Sequence, residues 1–201
     1  MRIHISDATV HLHLHGVAAE VTRTPSIDPA RAGAMPTPLA ASDATQPPAA
    51  GEIWPDQGGR FICTLPALLD LPARHLVFAE AEEESLKWGP AGDIPGAASH
   101  HDGAANTKAL IAAGTGYKAA HWAASQHADG QADFYLPGRL ELLMAYICTP
   151  QLFKTSGYYW SSTQYSRYFA FVQDFESGDS GWGVKGNGYR VRACRVIPLT
   201  T

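Results

Sequence analysis

The chain is predicted to be an α+β protein, with helices first and an antiparallel sheet last. Three observations predict this. Helical signals cluster between residues 106 and 148. Aromatic and β-branched strands crowd the last third. A Pro/Ala-rich stretch ahead of both lacks the side chains of a core.

Taken in order, residues 1–22 open with alternation. Ile3, Ile5, Val10, Leu12 and Leu14 interleave with His4, His11, His13 and His15. Period two is strand spacing, so His11, His13 and His15 share one face of an N-terminal β segment. Three imidazoles on one face can bind a transition metal such as zinc, nickel or iron. An edge strand with a polar outer face explains the same pattern.

Residues 23–50 change character. Prolines stand at 25, 29, 36, 38, 47 and 48, among alanines and without an aromatic residue. This reads as an extended arm or linker. Such an arm gains too little burial to offset its ordering entropy alone, so a partner subunit is its natural support.

Globular sequence spans residues 51–201. Phe61–Leu65 and Arg74–Ala79 are strand candidates, and Glu82–Glu84 reads as a solvated acidic run. Trp88-Gly-Pro and Gly92–Gly96 form a turn-rich loop. Asn106 suits the N-cap of a helix from Thr107 to Ala113. A second, alanine-rich helix covers Tyr117 to Gln126. A third starts at Pro137, with Leu140, Leu143, Met144 and Ile147 as its core-facing stripe. Tyr158–Ser162, Tyr168–Phe175 and Tyr189–Val196 are strands. Phe169, Phe171 and Phe175 share a face of the middle one and, with Trp160, are assigned to the core.

Composition narrows the function classes. A formal net charge of −4 argues against a general nucleic-acid binder. No apolar run reaches the roughly 18 residues of a membrane span, so no membrane insertion is expected. The N-terminus lacks the apolar core of a signal peptide, which implies synthesis in the cytoplasm. Cys63, Cys148 and Cys194 form neither a disulfide framework nor a zinc pattern. They read as small hydrophobes, although Cys148 and Cys194 can meet in the fold.

Several clusters invite a chemical reading. His100-His101-Asp102 has the residue types of a metal or acid–base site, with His121 and His127 as further ligands. Turn and cap roles for Asp102 and Asn106 are simpler. Ser161, Ser162 and Thr163 lack the glycines of a nucleophile elbow and suit local hydrogen bonding at a strand end. Arg190, Arg192 and Arg195 can bind an anionic glycan, but ion pairs with Asp174 or Glu176 are the simpler role. Tyr158, Gln164, Tyr165, Tyr168, Trp182 and Tyr189 stand in turns or at strand ends. Tyr and Trp there offer rigid contact area with a polar handle, so these six are the candidate ligand-binding residues. Packing beneath loops is the alternative.

Six segments in order carry a family resemblance. They are Leu86-Lys-Trp-Gly, His101-Asp-Gly-Ala-Ala-Asn-Thr, Asp133-Phe-Tyr-Leu-Pro-Gly-Arg-Leu-Glu-Leu, Tyr159-Trp-Ser-Ser-Thr-Gln-Tyr-Ser, Gln173-Asp-Phe-Glu-Ser-Gly and Arg190-Val-Arg-Ala-Cys-Arg. Over about residues 55–197 the chain resembles the Lcl C-terminal type of domain, found in bacterial and prophage proteins. That family is similar in architecture to C-type-lectin-like folds and the formylglycine-generating enzyme. The resemblance implies a small twisted antiparallel sheet, flanking helices and a loop-rich binding face. It does not imply one activity.

By analogy with phage tail and baseplate proteins, residues 1–50 would be an assembly module. They would join other virion proteins in a homo-oligomer, with a trimer favoured. The C-terminal domain would recognise a host-surface glycan or protein. A structural decoration or cementing protein remains an alternative, as does an enzyme of the formylglycine-generating type. The paired cysteines of that enzyme have no match here, so no catalytic residue and no cofactor are expected beyond the N-terminal histidines.

Overall fold

The structure is a computed structural model that describes residues 46–199. His11, His13 and His15, the N-terminal β segment and most of the arm lie outside the described residues. The described chain is α+β, with seven strands and three helices. The strands are β1 (Ile53–Trp54), β2 (Gly59–Leu65), β3 (Arg74–Lys87), β4 (Tyr158–Gln164), β5 (Phe169–Asp174), β6 (Trp182–Val184) and β7 (Gly188–Pro198). The helices α1 (Gly103–Ala113), α2 (Lys118–Ala124) and α3 (Arg139–Cys148) fall between β3 and β4.

The strand order is β1-β2-β3-β7-β4-β5-β6. Every pairing is antiparallel except β4 with β7, which meet in parallel at Tyr159 and Arg190. The sheet is therefore mixed, a departure from the expected antiparallel one. The long return from α3 brings β4 in beside the C-terminal strand, and that joint is parallel.

Period-two alternation divides the apolar side chains between two cores. On one side Ala79, Trp160, Val172, Val191 and Ala193 pack with Trp88 and with Leu110, Ala119, Ala120 and Ala123 of α1 and α2. On the other, Ile62, Leu76, Phe78, Tyr159, Phe175 and Cys194 pack with Leu142 and Ala145 of α3. Burying both faces explains why the central strands are rich in apolar residues at successive positions. Alanines on α2 give that helix a smooth face for close packing against the sheet.

Three expectations need correction. First, β3 does not end before the acidic run but continues through Glu82–Glu84 to Lys87. Glu82 is half-buried, accepts a 2.6 Å hydrogen bond from the Tyr159 hydroxyl and pairs with Arg190 at 3.4 Å. Lys154 bonds Glu84, so basic partners on neighbouring segments let this charged run complete the strand.

Second, α1 starts earlier than expected, because Asp102 is the cap. Its Oδ1 accepts from the Ala105 N–H at 2.8 Å. Asn106 lies inside the first turn, fully buried, donating to the Ser99 carbonyl at 2.7 Å and to Ser162 Oγ. Its amide ties the preceding loop to β4.

Third, the core face of α3 carries Glu141, Leu142 and Ala145. Leu140, Leu143 and Met144 are only half-buried, and Ile147 is 61% exposed. The helix is rotated because Glu141 is held inside, its Oε2 accepting from the Gly138 N–H at 2.7 Å. Its Oε1 accepts from the Tyr135 hydroxyl at 2.8 Å. The N-termini of α1 and α3 meet at this carboxylate. A Cβ on Gly103 would lie 2.4 Å from both Glu141 Oε2 and the Gly138 nitrogen, so only glycine permits the approach.

Candidate functional site

An aromatic face lies where the core under α3 reaches the surface. Phe175 and Tyr159 are buried there with Phe153, its ring stacked on Phe175 at 4.0 Å. Phe171 comes next along β5. The Arg139 guanidinium lies 4.1 Å from its ring centroid and the His100 ring packs at 5.1 Å. Beyond Phe171 nothing in the described chain covers the face. Tyr165 packs on Phe171 at 5.2 Å, and Phe169 packs edge-on to Trp182 at 4.5 Å. The Tyr165 and Trp182 rings are parallel to within 4°, with centroids 6.0 Å apart. Each of the two residues is 54% exposed.

Hydrogen bonds hold this face in place. Arg139 Nε donates to Ser180 Oγ at 3.0 Å and its Nη2 to the Ser180 carbonyl at 3.2 Å. The loop before β6 is thereby tied to the start of α3. Thr163 Oγ1 accepts from the Arg139 N–H and donates to the Ser99 carbonyl at 2.8 Å. Burial, then the charge of Arg139 and of His101, lowers the His100 pKa below its ordinary value. Each of these effects favours the neutral imidazole beside the guanidinium. Arg139 and His100 also line an apolar groove of about 320 Å³, together with His101, Leu68, Leu140 and Leu143.

The six expected ligand-binding residues do not form one patch. Trp182 and Tyr165 share the aromatic face. Tyr158 and Tyr189 pack on each other at 5.3 Å, and Tyr189 packs on Trp160 at 4.6 Å. This second pair lies on the opposite side of the sheet. A Cβ on Gly183, the neighbour of Trp182 on β6, would lie 2.5 Å from the Tyr189 ring. Tyr168 is 55% exposed beside Arg167, at the mouth of a cavity of about 490 Å³ lined also by Lys87, Pro90 and Val184.

Gln164 bonds within the fold. Its Oε1 accepts from the Ile94 N–H at 3.1 Å and from Lys185 Nζ at 2.7 Å. Lys185 is buried, donates also to the Gly92 carbonyl at 2.8 Å, and lies 4.6 Å from the Trp88 ring centroid. Burial pushes its pKa down to about 8, with Asp93 pulling the other way. Sequence reading passed over this lysine, since nothing local marks a cation that is held by carbonyl oxygens and an indole.

Other expectations resolve as follows. Ser161, Ser162 and Thr163 do bond backbone carbonyls, of Phe171, Pro137 and Ser99. His100 and His101 line the same groove, but Asp102 does not join them. His100 faces Phe171, and Asp102 caps α1. His121 and His127 bond the Gly114 and Ser125 carbonyls. Among the described residues no group of three or more His, Cys, Asp or Glu could hold a metal ion.

The arginines of β7 pair elsewhere than with Asp174 or Glu176. Arg195 pairs with Asp133 at 2.6 Å, Arg190 with Glu82, and Arg192 donates to the Ala79 and Leu152 carbonyls. Asp174 instead closes its own turn through Glu176 and Ser177. Phe169, expected in the core, is half-buried against Trp182. Cys194 is buried beside Tyr135, Cys63 and Cys148 are half-buried, and all three are free thiols.

Arg139 and Leu140 were not among the expected site residues, and His100 was weighed only within a metal or acid–base cluster. The available signal was the outward apolar half of α3, which reads as a core stripe when Glu141 is taken for a surface residue.

No family model and no curated protein matches the chain. Among solved structures, a fimbrial protein from Bacteroides ovatus is similar over 60% of this chain, with 18% identity and a TM-score of 0.46. The matched region spans 35% of that protein.

Proposed function

We propose that this chain is a non-enzymatic phage or prophage virion protein of the tail or baseplate. Its C-terminal domain is of the Lcl, C-type-lectin-like type and recognises a host-surface glycan. Residues 1–50 join other virion proteins, and an oligomer, trimeric in the favoured form, presents several copies of the domain.

The observation that carries this reading is the exposed parallel pair of Tyr165 and Trp182, set on Phe169 and Phe171. Flat, half-exposed rings offer apolar area to the C–H faces of a sugar. They lose little entropy on binding, because packing beneath already holds them. Arg139 adds a cation beside the rings, and the Leu140–Leu143 groove extends the contact.

The test is binding of the full-length chain to host cells, read by flow cytometry. Trp182→Ala and Tyr165→Ala are each expected to weaken binding at least about tenfold, as anchors of an interface do. Tyr158→Ala, on the other side of the sheet, should leave it unchanged. Periodate treatment of the cells should abolish binding, and protease treatment should spare it. The converse pattern would point to a protein receptor. Equal binding by Trp182→Ala and wild type, at matched melting temperature, would overturn the site.

A further inference from the structure

The chain has two asparagines, and the fold treats them oppositely. Asn106 is fully buried in the first turn of α1, its Oδ1 accepting from the Ser99 N–H at 3.0 Å and its Nδ2 donating to the Ser99 carbonyl. Thr107 follows it, and a β-branched side chain shields the next backbone nitrogen. Asn187 is exposed in the turn from β6 to β7, which its own N–H closes on the Val184 carbonyl at 2.9 Å. Among the described residues its side chain makes one bond, from Nδ2 to the Tyr189 hydroxyl at 3.0 Å. Gly188 follows it, so no side chain shields the backbone nitrogen beside its carboxamide. Packing favours that glycine, because a Cβ there would lie 2.3 Å from Ser85 Oγ.

We propose that Asn187 is a site of spontaneous deamidation, converted by water to aspartate and isoaspartate. In the first step the Gly188 nitrogen attacks Asn187 Cγ. A new N–C bond closes a cyclic imide, the bond from Cγ to the amide nitrogen breaks, and ammonia leaves with the proton of the Gly188 N–H. Water then opens the imide. Addition at Cγ restores the normal backbone and leaves an aspartate side chain. Addition at the backbone carbonyl carbon leaves the chain running through Cγ, as isoaspartate. One water is consumed and one ammonia released, with no change of oxidation state.

Either product adds a negative charge to the formal net charge of −4. It stands next to Gly186, which lines the cavity of about 490 Å³ together with Lys87 and Tyr168. The isoaspartyl form also lengthens the backbone by a methylene between two fixed points. Before it, the Lys185 carbonyl accepts from the Trp88 N–H at 3.0 Å, and after it Gly188 pairs with Lys87 of β3. The turn supports this site whatever the aromatic face binds.

The full-length chain is incubated at neutral pH and digested with trypsin, and its Gly186–Arg190 peptide is followed by mass spectrometry. That peptide should gain about 1 Da and split into aspartyl and isoaspartyl forms, the second a substrate for an isoaspartyl methyltransferase. The peptide that holds Asn106 should keep its mass. A synthetic Gly186–Arg190 peptide gives the rate of an unrestrained Asn-Gly bond, and the folded chain should react within about tenfold of it. Asn187→Ser should form no isoaspartate at this turn. Ser85→Ala combined with Gly188→Ala, which makes room for the added methyl, should slow the reaction at least about tenfold. A folded chain slower than the peptide by more than about tenfold, aspartate without isoaspartate, or equal reaction at Asn106 would each overturn the proposal.

Discussion

Glu141→Gln isolates the electrostatic cost of the carboxylate that joins α1 to α3. The wild-type group is 1% exposed and accepts from Tyr135 and Gly138. Burial raises its pKa from 4.5 to about 6, while the two hydrogen bonds and Arg74 oppose that shift. A folded pKa above the unfolded one means that the folded state binds the proton more tightly between those values. This group's contribution is therefore fully present below pH 4.5 and is lost as pH rises through about 6. The shift corresponds to about 2 kcal/mol at 1.36 kcal/mol per pKa unit.

Glutamine cannot ionise, yet its carbonyl oxygen can serve Gly138 while its amide faces the Tyr135 oxygen. The variant should gain about 2 kcal/mol relative to wild type between pH 4.5 and pH 7, a difference of about 1 M in urea midpoint. Urea unfolding followed by tryptophan fluorescence at both pH values measures it. Glu141→Ala, which leaves two donors without an acceptor, should lose about 2–4 kcal/mol at pH 4.5 and about 2 kcal/mol less than that at pH 7, because it too removes the titrating group. A Glu141→Gln difference that stays constant with pH, or shrinks as pH rises, would refute the reasoning.

Other perturbations test the frame around the site. Gly103→Ala should destabilise the domain by about 1–3 kcal/mol in the same assay, since its Cβ would press on Glu141 and on the Gly138 backbone. Lys185→Met should narrow the pH dependence on the alkaline side. The lysine's folded pKa of about 8 lies below its ordinary 10.5, so the wild type should gain stability over the variant as pH rises between those values. Thermal melts across that window would show the reverse trend if the ammonium were stabilised where it lies.

The strands of the last third were legible because their signals are local. Aromatic and β-branched residues alternate within each run, and Gly/Ser/Asn turns separate them. The third helix was legible too, although it starts at Arg139, two residues past the expected Pro137, with Gly138 as its cap. Its orientation was not. Leu140, Leu143, Met144 and Ile147 follow helical spacing, but Leu142 and Ala145 belong to another stripe on the same helix. Only the capture of the Glu141 carboxylate by Tyr135 and Gly138 selects between them. Asp102 and Asn106 are both competent caps. Ser99 and Ser162 take the Asn106 side chain, which leaves Asp102 to begin the helix.

The candidate site shows the same division. Sequence picked out Tyr165 and Trp182 as aromatics outside the core, but it grouped them with Tyr158, Tyr168 and Tyr189. The β4–β5 register shifts between Trp160 and Gln164, and past such a shift counting residues no longer tells which side of the sheet a side chain takes. Arg139 joins the site by reaching across to Ser180.

The amino-acid sequence by itself determined that helices precede a β-rich end, that a third helix follows Pro137, and which aromatics suit a surface. Periodicity and turn chemistry act over a few residues, and a single chain displays them directly. The tertiary structure alone decided which helix face is buried and which aromatics share a surface. Those outcomes depend on register and on partners far away in the chain, where no local pattern can encode them.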